Sequence, residues 1–352
     1  MLKLCSYINF SRNGSDLLSI TYVCEVEITT SWELLTQTAK LEIPAKIFKD
    51  NNQYSITQIQ RGDAIQIWLG YVTDGINKKN APSLTKRYQG YVTKIKPGYV
   101  VKLECEDEMW KLKQTALPGV LLPSPCTLST LITWCQNQTG LTFKTNLSDT
   151  SDLGAIQISP GNSFADILEF IRNKYLFLAY FKNGTLVMNR VVQFVATNTQ
   201  TFIVQRNIIG ADTLEYQNVL DVHLSIKFTT QISVNGAPDK KTTIYVFYNS
   251  KGVLTNSTIP PVGYNQIEHI TSVAMPESQM ISEAGQILKS QTYTGYKGHI
   301  ETFGEPVVNF GDLALIQDYR YPERTGTYLI RAVDVKFGKQ GYRQTVNIYG
   351  KQ

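Results

Sequence analysis

Arg61-Gly62-Asp63-Ala64-Ile65-Gln66-Ile67-Trp68 and, far downstream, Phe310-Gly311-Asp312-Leu313-Ala314-Leu315 share one pattern. In each, a Gly-Asp pair follows a polar segment and leads into apolar/polar alternation, which is how a tight turn feeding a half-buried strand is written. Each copy continues with a second strand that starts after a small residue, Gln89-Gly90-Tyr91-Val92 in one and Thr325-Gly326-Thr327-Tyr328-Leu329-Ile330 in the other. A third strand closes each copy, over 100–105 and 344–349. We read this as a duplicated β-module in which Gly62, Asp63, Gly311 and Asp312 are the repeated turn residues.

With 352 residues the chain has room for two or three domains, each with its own core. Only 18% of the residues are charged and tyrosine is plentiful, a composition that favours β-structure over helical bundles. The formal charge of +5 is small for this length and no long basic run occurs, which argues against electrostatic capture of nucleic acid or anionic membrane. Cys5, Cys24, Cys105, Cys126 and Cys135 are odd in number, scattered and without a C-x-x-C pair, so they read as reduced and partly buried. No apolar stretch is long enough for a signal peptide or a membrane span; the expectation is a soluble protein made in the cytoplasm.

Three units follow in order. Over 1–115, alternation at 22–28, 39–43, 64–71, 88–95 and 99–105 predicts antiparallel strands of a small barrel or sandwich, with a polar excursion at 73–87 that projects from it. Over 116–200 the period changes. Leu128, Leu131, Ile132 and Cys135 fall on one helical face that ends at Gly140, and Phe164, Ile167, Leu168 and Ile171 on another that Ser163 can cap. Asn183-Gly184 marks a hairpin, which completes a small α+β domain. Over 201–352 β-character returns as the second barrel module, with a strand at 221–228, a long hairpin whose tip lies around 229–243, and a helix over 276–290 opened by Pro276. The fold class is therefore mainly β, with two related antiparallel β-barrel modules flanking the α+β domain.

Chemistry is hard to find. His223, His269 and His299 each lie in an apparent strand with no Cys or carboxylate at ligand spacing, and no nucleophile elbow, phosphate loop or zinc-protease motif occurs. The run Glu104, Glu106, Asp107, Glu108 lies where a strand leaves its module and reads as a solvated strand end. Arg61-Gly62-Asp63 is a turn whose Asp bonds local amides rather than a cell-adhesion tripeptide. Trp32, Trp68, Trp110 and Trp134 are dispersed and form no base-stacking platform. The expectation is no catalytic, cofactor-binding or metal residue and no cofactor. Ser159-Pro160-Gly161-Asn162-Ser163-Phe164 is similar to the start of glycan-binding LysM modules, and is equally ordinary punctuation before a capped helix.

The order of elements resembles the tail hub (baseplate hub) proteins of contractile-tailed phages, the family of the Mu-like tail protein, the late control D proteins and the hub portion of type VI secretion spikes. The resemblance rests on Glu25-Val26-Glu27-Ile28 with Thr38-Ala39-Lys40-Leu41-Glu42-Ile43-Pro44, on Arg61-Gly62-Asp63 with Gln89-Gly90-Tyr91-Val92, and on Ile158-Ser159-Pro160-Gly161-Asn162-Ser163. It continues through the helix at 276–290 and Gly298-His299-Ile300-Glu301 to Gly311-Asp312, and so covers nearly the whole chain with short motifs. The sequence stops at Gln352, directly after the second module, so no fused spike or lysozyme-like domain is expected. The resemblance implies a homotrimer in which two barrels per chain make a pseudo-sixfold ring. Its implied partners are a tail tube protein, a central spike, other baseplate proteins and the tape measure, with no sequence-specific nucleic-acid binding and no membrane insertion. The particle would be assembled from protein made in the bacterial cytoplasm. Candidate interface loops are the 73–87 excursion, with Asp74, Lys78, Lys79, Lys86 and Arg87, and the hairpin tip, with Asn235, Lys240 and Lys241. The competing reading is a tail-associated component that binds or degrades cell-wall glycan.

Overall fold

A computed structural model describes residues 2–49, 52–55, 58–73, 84–175, 177–189, 198–210, 213–234, 237–271 and 276–352. The two Gly-Asp segments enter matching positions of two strand sets. In the first set the lateral order is Leu2–Arg12, Ala64–Thr73, Thr85–Lys96, Val100–Glu106, Thr38–Pro44, Glu25–Ser31. In the second it is Thr199–Ile203, Leu313–Gln317, Gly326–Gly338, Gly341–Lys351, His299–Phe303, Ile208–Gly210. Taken along the chain, both sets follow the same permutation. They differ in one orientation: Leu2–Arg12 runs antiparallel to its Gly-Asp strand, whereas Thr199–Ile203 runs parallel to its own.

The sets are not separate. Leu329 to Gly326 of Gly326–Gly338 pair with Leu313 to Ile316, and the remainder of that strand, Ala332 to Gly338, pairs with Ser31 to Glu25. The result is one 13-stranded sheet. Among the described residues its main path runs from Ser15–Ile20 to Ile208–Gly210. One apolar cluster lies against it and holds Ile28, Leu41 and Ile67 together with Ile330, Val335 and Val346. Period-2 alternation produces this directly: Tyr342, Gln344, Val346 and Ile348 point inward while Arg343 and Thr345 do not. The outward positions carry paired charges, Lys96 with Glu104, Lys102 with Glu42, and Arg343 with Glu301, which keep that face solvated.

The middle unit has its own core, in which Leu131, Cys135, Phe164, Leu168 and Ile171 meet Phe181 and Met188. Thr127 caps the helix Leu128–Thr139 by accepting from the Thr130 amide, and Gly140 ends it in the left-handed region. Ser163 and Asp166 cap Phe164–Tyr175 reciprocally. Asn183-Gly184 turns the hairpin Leu178–Lys182/Thr185–Asn189 with positive φ at both residues. Met109 and Leu112, ahead of the expected boundary at 115/116, pack into this core from the helix Met109–Lys113.

Between Ile208–Gly210 and His299–Phe303 an insertion forms a four-stranded sheet, and the helix Glu277–Gln291 lays Met280, Ala284 and Leu288 on its Ile226, Phe228, Ile244 and Val246. His223 precedes the strand Leu224–Val234 instead of lying in it, because 219–221 form a 3₁₀ turn capped by Asn218. Among the elements that carry no expectation above are the N-terminal hairpin Leu2–Arg12/Ser15–Ile20, and Lys144–Leu147, which joins Thr185–Asn189 in parallel.

A shared core predicts shared melting. Ile28→Ala and Ile330→Ala each delete a buried side chain from a different module and should each cost about 2–5 kcal/mol. Calorimetry should show both lowering one and the same transition; two independently shifting transitions would separate the modules.

Candidate functional site

The two turns have the same hydrogen-bond set. Gly62 N–H donates to Val92 O (2.8 Å), Val92 N–H to Asp63 O (2.9 Å) and Asp63 N–H to Gln60 O (3.2 Å). Correspondingly, Gly311 N–H donates to Ile330 O (2.8 Å), Ile330 N–H to Asp312 O (2.9 Å) and Asp312 N–H to Asn309 O (3.1 Å). Each carboxylate reaches back to the amide three residues before it: Asp63 Oδ2 accepts from Gln60 N–H at 2.7 Å and Asp312 Oδ2 from Asn309 N–H at 2.8 Å. Gly62 and Gly311 sit at φ +94° and +85°, a region a side chain rarely adopts. At Gly62 a Cβ would also stand 3.1 Å from the Trp110 ring, which stacks on Tyr91.

The turns differ in what closes them. Arg12, from the N-terminal hairpin, grips Asp63 with both arms of its fork, Nε to Oδ1 at 2.7 Å and Nη2 to Oδ2 at 2.9 Å, while Nη2 also donates to Gln58 O. Burial works against the Asp63 charge, but the Arg12 fork and the Gln60 amide outweigh it, and the carboxyl is held below the ordinary range. Arg12 escapes a reading based on local pattern because its partner is 51 residues away. Among the described residues Asp312 meets no such fork; the cations near it include Arg87 and Lys182.

Several expected surface residues lie elsewhere. Asp74, Lys78, Lys79 and Asn235 fall outside the described residues, as do the side chains of Lys240 and Lys241, whose backbone belongs to the strand Ala237–Tyr248. Lys86 and Arg87 belong to Thr85–Lys96 instead of the preceding excursion. Lys86 is exposed and bonds Gln89 Oε1 at 3.0 Å. Arg87 is buried next to the equally buried Tyr88, because the pairing with Ala64–Thr73 skips it, passing from Ile67 opposite Tyr88 to Trp68 opposite Lys86; its Nη2 donates to Gln344 Oε1 (3.2 Å), and it is therefore no part of an exposed loop. The acidic run is not uniformly solvated either. Glu104 and Glu106 pair with Lys96 and Lys113, but Asp107 is buried and accepts the Gln37 and Met109 amides, each at 3.1 Å. Burial pushes its carboxyl up to about 8 in spite of those bonds.

Two of the three histidines pack against aromatic rings. His269 lies 4.6 Å from the Phe228 ring and His223 5.6 Å from Tyr264. Among the described residues no three His, Cys, Asp or Glu side chains are grouped to hold a metal, and no helix is long and apolar enough to cross a membrane.

No family model and no curated protein matches the sequence. The structure does match solved ones. The 43 kDa tail protein of prophage MuSo2 from Shewanella oneidensis superposes with TM-score 0.58 at 16% identity, over 97% of each chain. The tail protein from Neisseria meningitidis MC58 gives 0.59 at 12% identity, over 99% of this chain and 96% of that one. The chain has the tail-protein fold. The E. coli c3393 protein, a type VI secretion component with structural similarity to the T4 bacteriophage tail proteins gp27 and gp5, also shares it: TM-score 0.54 and 9% identity, over 100% of this chain and 77% of that one. In this tail-protein fold the Gly-Asp turns sit at the start of one strand in each half.

Two pH effects follow with opposite sign. Asp63, depressed in the folded state, contributes stability that is present above its unfolded value near pH ~3.9 and is lost as pH falls through the lower folded value. Arg12→Gln leaves the buried carboxylate without its fork, so acid unfolding followed by circular dichroism should begin at higher pH. Asp107, raised in the folded state, favours folding fully below about pH 4, and that contribution is lost as pH rises through about 8. In Asp107→Asn the fall in thermal midpoint between pH 5 and 9 should flatten, roughly the span over which the buried acid ionises.

Proposed function

We propose that this protein is a structural tail or baseplate hub: a homotrimer whose two modules per chain form a pseudo-sixfold ring that joins a tail tube to the central spike of a phage or contractile injection particle. The observation that carries the reading is the repetition, within one chain and one continuous sheet, of a six-strand permutation and its Gly-Asp turn bonds. A head-to-tail ring of three single-module chains offers three equivalent docking faces. Three chains with two comparable modules offer six. Such a ring meets a sixfold tube on one side and a threefold spike on the other with no change of subunit.

The tail proteins that share this fold support the reading, as does the resemblance of the E. coli secretion component to gp27 and gp5. The units at 1–115, 116–200 and 201–352 act as first module, spacer and second module. The segment around 73–85 and the tip of the hairpin Leu224–Val234/Ala237–Tyr248 serve as contacts to the tube, the spike or other baseplate proteins. In this role the chain needs no cofactor and performs no catalysis. It is made in the bacterial cytoplasm and built into the particle there.

A permanent ring needs an interface on the order of 2,000–5,000 Å² between neighbours, so assembly should persist on dilution into the nanomolar range. Mass photometry should find three chains, and electron microscopy a ring with a central hole. A monomer throughout that range overturns the reading, and a monomer that sediments with peptidoglycan favours the wall-binding alternative.

A further inference from the structure

The seam inside the chain exists because the strand Gly326–Gly338 outruns its neighbour. Leu313–Gln317 pairs with its first part, and Ala332 to Gly338 then pair with Ser31 to Glu25 of the first module. The first module has the same overhang. Thr85–Lys96 pairs with Ala64–Thr73 as far as Tyr91, Val92 N–H still reaches Asp63 O, and no described strand pairs on that side of Lys94 to Lys96. The second module in turn repeats the strand that receives an overhang. Ile208–Gly210 and Glu215–Gln217 run along His299–Phe303 and Gly295–Lys297, and among the described residues no strand pairs with the far side of Glu215–Gln217. We infer that these two edges meet in the ring: Lys94 to Lys96 of one chain add antiparallel to Glu215–Gln217 of the next, in the register of the internal seam. The inference rests on the ring proposed above and names its contact.

Backbone bonds carry the register from one seam to the other. Val92 and Ile330 make the same bonds to their Gly-Asp turns, and a one-residue shift in pairing follows each, between Val92 and Lys94 and between Ile330 and Ala332. Ile95 and Lys96 therefore take the places of Val333 and Asp334. On the receiving side, Ala39 pairs with Cys105, which faces Val92, and Gly298 O accepts from the amide of Ile348 (3.1 Å), which faces Ile330. Gly298 thus stands where Ala39 does and Lys297 where Thr38 does. Glu215, opposite Lys297, takes the place of Thr29, opposite Thr38. Inside the chain Asp334 faces Thr29, Val333 faces Thr30 and Ala332 faces Ser31. Between chains the same ladder sets Lys96 opposite Glu215, Ile95 opposite Tyr216 and Lys94 opposite Gln217.

The pairs so formed are chemically matched, although backbone bonds alone set them. Lysine on a sheet edge ordinarily keeps a second strand away. Here an acid stands opposite Lys96, so the lysine selects its partner instead. Within the chain Lys96 pairs with Glu104 and Glu215 with Lys297, while Lys102, opposite Lys96 in its own hairpin, is taken by Glu42. Ile95 is half-buried where its counterpart Val333 is 1% exposed, and Tyr216 is 36% exposed beside the buried Tyr296. A β-branched side chain against an aromatic one is a favourable cross-strand pair and covers both.

In the Lys96→Cys/Glu215→Cys double variant, mild oxidation should link chains into covalent trimers on a non-reducing gel, and neither single variant should. Lys96→Glu and Glu215→Lys should each raise the concentration at which the ring half-dissociates in dilute urea, about fivefold for a cross-strand pair turned from opposite to like charge, and the double reversal should restore it. The internal seam separates the two residues within one chain, so only a contact between chains couples them. Covalent products longer than three chains would keep the seam and overturn the closed ring. A trimeric particle whose cysteine pair stays unlinked, or whose charge reversals simply add, would overturn the seam and leave the ring standing. Monomers throughout would overturn both.

Discussion

The pairing of Ala332 to Gly338 with Ser31 to Glu25 is the constraint on which the rest of the structure depends. Each of those segments would otherwise be an open sheet edge, with a row of unsatisfied amides and carbonyls. Joined, they satisfy each other and bring Ile28 and Val335 onto one buried face. A register slip of one residue would send both to the solvent side and expose Glu27 and Lys336 to the core. The seam therefore fixes the second module against the first with the precision of a ladder, which a flexible linker could not do.

That rigidity gives the small difference between the turns its meaning. The backbone of the two Gly-Asp turns is the same, yet Arg12 closes the first and a cavity faces the second. The first module closes its turn with a local hairpin, Leu2–Arg12 with Ser15–Ile20. In the second, the corresponding strand Thr199–Ile203 runs parallel, and among the described residues no guanidinium fork closes over Asp312 in that way. Orientation of one strand thus separates a sealed turn from an open one.

Local pattern carries much of the fold and little of this asymmetry. The helix at 128–139 is legible because Thr127 and Gly140 bracket an apolar face, and Asn183-Gly184 marks its hairpin for the same kind of reason, a residue type suited to positive φ. Asn13-Gly14 has an identical signature, with positive φ at both residues and Ile8, Phe10, Leu18 and Ile20 alternating around it. It is obscured by Cys5 and Tyr7, which place further apolar character on the opposite face of the strand. Lys144–Leu147 is a polar stretch, and only its neighbour Thr185–Asn189 makes it a strand. Arg87 and Asp107 are charged residues whose burial depends on chain far away, and Arg12 finds its partner Asp63 only through the fold, so composition alone places none of the three.

In the proposed ring, decoration of the two modules accounts for both sixfold and threefold faces. The six core strands share one permutation, but the additions fall at different connections. In the first module a strand at Ser15–Ile20 follows the first core strand and a hairpin at 46–55 follows the third. In the second, the first and third connections are short, and the second carries the four-stranded insertion with its helix. Substituting or lengthening a surface connection costs little loop entropy, whereas altering the permutation would dismantle the sheet. Equivalence is thus kept where it is expensive to lose, in the ladder, and given up where change is cheap. In the proposed ring, surfaces built on the ladder repeat six times, and surfaces built on the connections repeat three times.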